Sequence, residues 1–303
     1  MKRYSDCWEA ERIEIASMEE LERKNVQAFI EENLPDGRYT SILSWPSLSK
    51  VFGAKTHGKL AGLILSWKNS FHPHCIYFKI VLEETTGPDG IAEKLLSELA
   101  RNSASPLQTS IWEEDLHFMQ FYESKGMKLI RKTFIPSVAF DSLALKTTVF
   151  SSYKVFTLLE ISQNKALKYK LAQFTKQIYE ETHLANPAAV LEAAAWEKLI
   201  YSEDTLLELS CCIVDENDDI LAFSYIHEEK KTQIELGWVG FSGNNDWELL
   251  NLVLQQIIKA KQKGYKSITG EFDSTSPYAM FIYQNLHFPK AVCLNTYQLK
   301  KYI

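Results

Sequence analysis

Two distant stretches of this chain carry landmark residues at one spacing: Asp115-x-x-Phe118-x-x-x-Tyr122-x-x-x-Gly126-Met127 and Ser276-x-x-Ala279-x-x-x-Tyr283-x-x-x-His287-Phe288. Each lies at the end of the same series of parts: a hairpin, an apolar strand, a glycine-bearing turn, an amphipathic helix, a further strand and this last helix. A repeated order of parts limits the fold more than composition does, because each half must bury similar faces by similar layers. The expectation is an α/β chain, mixed sheets with helices, in two tandem domains.

In the first half, residues 49–67 read as two short strands around His57-Gly58-Lys59, and 75–84 as a strand. TTGPDGIAEKLLSELA (85–100) is a glycine turn opening a helix, with Ile91, Leu95, Leu96 and Leu99 on one face. A strand over 106–115 and a helix over 116–129, stopped by Gly126, complete the set. In the second half, 210–229 reads as a hairpin around the acidic turn Asp215–Asp219, and 232–241 as a strand. A turn at 242–246 then opens a helix over 247–264, followed by one strand in KSITGEFD and a helix over 276–288. Helices near 18–32 and 164–184 open the two domains, expected at 1–145 and 146–303, with the boundary in DSLALKTTVFSS.

Composition narrows the function. The 303 residues are 46% hydrophobic, enough for two cores, and a net charge of −6 without a Lys/Arg run argues against a nucleic-acid partner. Five cysteines, an odd number with no Cys-x-x-Cys pair, fit a reducing compartment. No apolar run spans a bilayer, so a soluble cytoplasmic chain without a membrane partner is expected. His72-Pro73-His74-Cys75 offers soft ligands but no second ligand pair supports it, and no metal is expected. Cys211 and Cys212 read as packed strand residues.

The order of elements resembles the GCN5-related N-acetyltransferase (GNAT) fold in tandem. The family's turn is Gln/Arg-x-x-Gly-x-Gly/Ala, and Gly87-Pro88-Asp89-Gly90-Ile91-Ala92 matches it at Gly90 and Ala92, with Gly87 in place of the cation or amide. The second turn aligns Gly243, Asp246 and Glu248 with those positions and matches at none. The family's last helix begins with Asn and ends in Tyr, three residues and Gly-Phe. Here Tyr122 and Gly126 are kept in one half, and Ala279, Tyr283 and Phe288 in the other.

The resemblance implies two acyl-CoA N-acyltransferase domains, with acetyl-CoA as cosubstrate and a primary amine of a small molecule or peptide as acceptor. It implies cofactor contacts from Leu82, Gly87, Pro88, Asp89, Gly90, Ile91 and Ala92, since N–H groups at a helix start hold pyrophosphate without a cation. The same turn read without the resemblance is an ordinary connection through Pro88 and Gly90, and Glu83, Glu84 and Asp89 place negative charge beside it. Tyr122, and Tyr283 as its counterpart, are implied as the acid that protonates the leaving sulfur. Glu83 or Glu84 is the candidate base, with Glu235 in the corresponding second-half strand. A CoA-binding regulator without turnover, an aminoacyl transferase of doubled fold, and a scaffold are the alternatives.

Overall fold

The computed structural model describes residues 13–34, 37, 39–83, 90–143, 153–243 and 246–300. The chain opens with β1 (Glu14–Ser17), α1 (Arg23–Asn33), β2 (Leu48–Thr56) and β3 (Lys59–Lys68). His57 and Gly58, at φ 49° and 78°, join β2 to β3 in the two-residue turn whose twist suits a hairpin. Next come β4 (Ile76–Leu82), α2 (Ile91–Arg101), β5 (Leu107–Trp112), α3 (Leu116–Ser124), β6 (Lys128–Ile135) and β7 (Ser137–Ala139). α2 buries Ile91, Ala92, Leu95, Leu96 and Leu99. It sits close on β3 because position 62 is glycine: a Cβ there would lie 2.7 Å from Ile91 Cγ2. Asp115 caps α3 by accepting the Phe118 N–H at 3.2 Å.

The second series runs β8 (Lys154–Thr157), α4 (Leu158–Ile161), α5 (Lys165–Thr182), α6 (Ala193–Ile200), β9 (Cys211–Val214), β10 (Ile220–Lys230) and β11 (Gln233–Phe241). It continues with α7 (Trp247–Gln262), β12 (Ser267–Gly270), β13 (Phe272–Asp273), α8 (Pro277–Asn285) and β14 (Val292–Leu299). The acidic turn between β9 and β10 is held by Asp215, whose carboxylate accepts the N–H of Asn217 at 2.9 Å and of Asp219 at 2.8 Å.

Two sheets result, ordered β1-β2-β3-β4-β5-β14-β6-β13 and β7-β12-β11-β10-β9-β8. By compactness the chain forms one unit of Met1–Ile130 with Thr296–Ile303, and another of Arg131–Asn295. Neither is the contiguous half expected from the sequence, because the end of the chain returns to the first unit. There Tyr297 is fully buried and its hydroxyl donates to Glu123 at 2.9 Å, while Gln298 donates to Cys75 Sγ at 3.3 Å. The boundary segment 144–152 lies outside the described residues.

KSITGEFD, expected as one strand, is two. β12 pairs with β11 as far as Gly270↔Leu236, and β13 then pairs with β6. The core of the second unit, with Ile234, Leu236, Val253, Ile257 and Ile268, lies between its sheet and α7 and α8. In the first unit α2 and α3 cover one face, around Phe78, Leu95 and Tyr122. α1 covers the other, with Ile30, Leu63 and Val81.

Candidate active site

Both units contain a pair of parallel strands that part company. In the first, β4 and β5 pair only at Ile76↔Leu107 and Tyr77↔Gln108, although β4 runs on to Leu82. In the second, β11 and β12 pair from Gln233↔Ser267 to Leu236↔Gly270, and β11 runs on to Phe241. Past the last pair, one edge of the longer strand offers N–H and C=O groups to whatever enters the wedge.

The helix after the first wedge starts at Gly90, at φ 74° and ψ −66°, a conformation that favours glycine. Its first helical bond is from Lys94 N–H to Gly90 C=O, 3.1 Å. Near its start, Lys125 pairs with Glu93 at 2.8 Å, and Lys94 donates to the Ile13 C=O at 3.3 Å. Ile91 and Ala92 are buried, so only their backbone could meet a ligand. Leu82 ends β4 half-buried and Glu83 is exposed beside it, whereas Glu84, Gly87, Pro88 and Asp89 lie outside the described residues.

Tyr122 is a core residue. It is 1% exposed, ringed by Phe78, Phe118, Phe121 and Tyr297 at centroid distances of 5.5–6.0 Å. Burial pushes its hydroxyl pKa far up, offset in part by a hydrogen bond shared with Thr109. The helical spacing that marks Tyr122 is a packing signal as much as a chemical one.

The second wedge differs in one respect. Ser224 pairs with Val239 and Ile226 with Leu236, so Tyr225 faces both Gly237 and Trp238, and β11 carries a β-bulge. Bulges bend a strand and re-aim side chains, often beside active sites. The β3–β4 ladder of the first unit runs from Gly62↔Leu82 to Lys68↔Ile76 without interruption. An isolated glycine inside a strand pattern was the available signal for the bulge.

Glu235 stands before this bulge. It faces His227 across β10 and Thr269 across β12, so three polar side chains form a row on one sheet face. Burial, then the carboxylates of Glu271, Glu229 and Asp204, push the Glu235 pKa up to about 6. His227 Nδ1 lies 3.5 Å from Asp204 Oδ2, and burial lowers its pKa despite that carboxylate. Aromatic rings stand nearby on the bulge: Trp238 lies 4.9 Å from Tyr179 and 6.0 Å from Trp196 between centroids. On β13, Asp273 accepts from the Thr133 hydroxyl at 2.5 Å and pairs with Arg131 at 3.3 Å.

Tyr283 is half-buried and stacks on Phe134 at 5.1 Å. The start of α7 is acidic: Asp246 occupies the N-cap without a capping bond, and partial burial pushes the Glu248 carboxyl up. Gly243 passes directly over Phe241, whose ring would lie 2.4 Å from a Cβ at that position.

No family model matches this sequence, and no curated protein matches it. Solved structures do. A GCN5-related N-acetyltransferase from Sphaerobacter thermophilus aligns over 95% of both chains at TM-score 0.61 and 12% identity. A tandem GNAT protein from the clavulanic acid biosynthesis pathway aligns over 95% of this chain and 98% of its own, at TM-score 0.55 and 10% identity. The fold is that of a tandem GNAT. A GCN5-related glucosamine N-acetyltransferase region of a fungal multi-domain β-N-acetylglucosaminidase also aligns, over 95% of this chain and 38% of that one, at TM-score 0.61 and 10% identity. At these identities the GNAT likeness is one of fold.

No helix among the described residues is long and apolar enough to cross a membrane. Among the described residues, Cys75, Cys211, Cys212 and Cys293 are buried and joined in no disulfide. Burial pushes the Cys211 thiol up to about 11.

Proposed function

We propose that this chain is an acetyl-CoA-dependent N-acetyltransferase acting on a primary amine of a small molecule or peptide, with the reaction in the second unit. The observation that carries the reading is the bulged wedge strand with Glu235 before the bulge, its pKa pushed up to about 6. A carboxylate near that value is ionised at neutral pH yet basic enough to take a proton from an ammonium. The amide-bearing arm of CoA pairs with an open strand edge as an added strand does, which seats it along Gly237–Phe241. Glu235 deprotonates the amine, the amine attacks the thioester carbonyl, and Tyr283 gives a proton to the departing sulfur. The carboxylates of Glu235, Glu271, Glu229 and Asp204, beside the Trp238 ring, favour a cationic acceptor.

A second reading seats acetyl-CoA in the first unit, at Leu82 and the turn Gly87–Ala92, with Tyr122 as acid and Glu83 as base. It is favoured by the cations at the α2 start, against the acidic start of α7. The two are separated by measuring acetyl-CoA binding by thermal shift and CoA thiol release over a panel of mono- and diamines. On the first reading Glu235→Gln lowers kcat by about 10²–10⁴-fold while Gly90→Val leaves turnover intact. Loss of the thermal shift in Gly90→Val with normal response in Glu235→Gln supports the second. Thiol release absent across the panel, with a retained acetyl-CoA shift, favours a CoA-binding regulator and sinks both.

A further inference from the structure

We propose that His227, oriented by Asp204, is the proton outlet of Glu235. The inference rests on the second-unit reading of the active site. His227 and Glu235 are directly paired across the β10–β11 ladder, which places their side chains on one face at neighbouring positions. The imidazole is held from both sides. On one side, the segment before β9 is fastened to β10 by Glu228 N–H to Asp204 C=O at 2.9 Å and Leu206 N–H to Ile226 C=O at 2.8 Å. There Ser202 Oγ donates to Asp204 Oδ1 at 2.6 Å, leaving Oδ2 toward His227 Nδ1 at 3.5 Å, with Thr205 Oγ1 at 3.4 Å.

On the other side, the ring lies over the bulge. A Cβ at position 237 would stand 2.4 Å from His227 Nε2, so this glycine is the space the imidazole occupies. A carboxylate at Nδ1 selects the tautomer protonated there and leaves the Nε2 lone pair on the wedge side. The charged groups around the Glu235–His227 pair are Asp204 beside His227, Glu229 on β10 and Glu271 between β12 and β13. Asp204 acts on the imidazole and favours an imidazolium, whereas Glu271, Glu229 and Asp204 act on the Glu235 carboxyl.

The step balances without a further reactant. Glu235 takes one proton from the amine and becomes a carboxylic acid. Its O–H bond breaks as the proton passes over one bridging water to His227 Nε2, which restores the carboxylate and makes an imidazolium beside Asp204. The imidazolium releases a proton to water and returns to the neutral ring. His227 therefore acts through Glu235 and is a positioning and relay residue.

The test reads the imidazole itself. Full-length protein labelled with ¹⁵N at histidine is titrated from about pH 5 to about pH 8, with His227 identified by the signal lost in His227→Gln, or in His227→Asn if the first variant does not fold. The expected result is a neutral ring at pH 7 carrying its proton on Nδ1, with a midpoint that moves down by about half a pH unit in Glu235→Gln. Asp204→Asn is expected to mix the two tautomers. A proton on Nε2 at pH 7, or a midpoint unmoved in Glu235→Gln, overturns the relay. In the same samples, a folded His227→Gln that turns over acetyl-CoA at the wild-type rate overturns the relay and leaves the acyltransferase reading standing. A His227 that responds to Glu235→Gln in a protein neither stabilised by acetyl-CoA nor able to consume it upholds the proton coupling and sinks that reading.

Discussion

Glu235 and Tyr122, both candidate catalytic residues in the sequence, part ways once their surroundings are known. For Glu235 the folded pKa lies above the unfolded value, so the folded state holds a proton that the unfolded chain releases between about pH 4.3 and about pH 6. Its contribution to stability is therefore full below the unfolded pKa and is lost as pH rises through the folded one. At about 1.4 kcal/mol per pKa unit, discounted for its half-exposed position, the cost at neutral pH is on the order of 1 kcal/mol. Glu235→Gln is expected to raise Tm at pH 7.5 by about 2 °C and to leave it unchanged at pH 4, as scanning calorimetry at the two pH values will show. On the second-unit reading kcat/KM rises with pH through about 6 in the wild type, and this limb disappears in the variant. For Tyr122 the expectation is the reverse: Tyr122→Phe loses the hydrogen bond shared with Thr109, costs about 1 kcal/mol and leaves kcat unchanged, whereas Tyr283→Phe lowers kcat. Urea unfolding and steady-state kinetics on the two variants check this.

At the scale of elements, the bulge in β11 and the start of α2 rest on two glycines with different requirements. Gly237 is required by a neighbour. Gly237→Ala drives a methyl group into the His227 ring, and a loss of about 1–3 kcal/mol is expected. Most of that loss is expected to vanish in a His227→Ala background, and a double-mutant cycle by urea unfolding measures the coupling. Gly90 is required by its backbone. Its φ of 74° strains any other residue while its nearest prospective neighbour, Ile13 Cδ1, lies at 3.7 Å. Gly90→Ala is expected to cost about 1 kcal/mol with no rescuing partner. The hairpins, the apolar face of α2 and the helical stretch of α7 were legible in the sequence because each is set within a few residues. The division of KSITGEFD was not, since Gly270 ends its ladder against Leu236 on another strand, and no local period records that.

For the whole molecule, the decisive feature is that the first unit is completed by the end of the chain. Thr296, Tyr297 and Gln298 bring to it hydrogen bonds to Ser110, Glu123 and Cys75 and one fully buried ring. A chain ending at Ala291 is expected to lose amide-exchange protection in β4 and β5, because β14 then no longer stands next to β5. A fragment of residues 1–145 is expected not to fold alone and to gain structure when a peptide of residues 289–303 is added. Circular dichroism of the fragment with and without the peptide decides it. Independent folding of the fragment would show that β14 is dispensable.

Residue order by itself determined the doubled series of elements, the mixed α/β class and the GNAT resemblance, since strand and helix periods, turn glycines and caps act over short stretches. Tertiary structure decided which strand closes which sheet, that Tyr122 is enclosed by rings, and that Asp204, His227, Glu235 and Gly237 meet at one bulge. Those outcomes depend on ladder register and on burial between residues far apart in the chain, where the favourable contact exists only after both partners are in place.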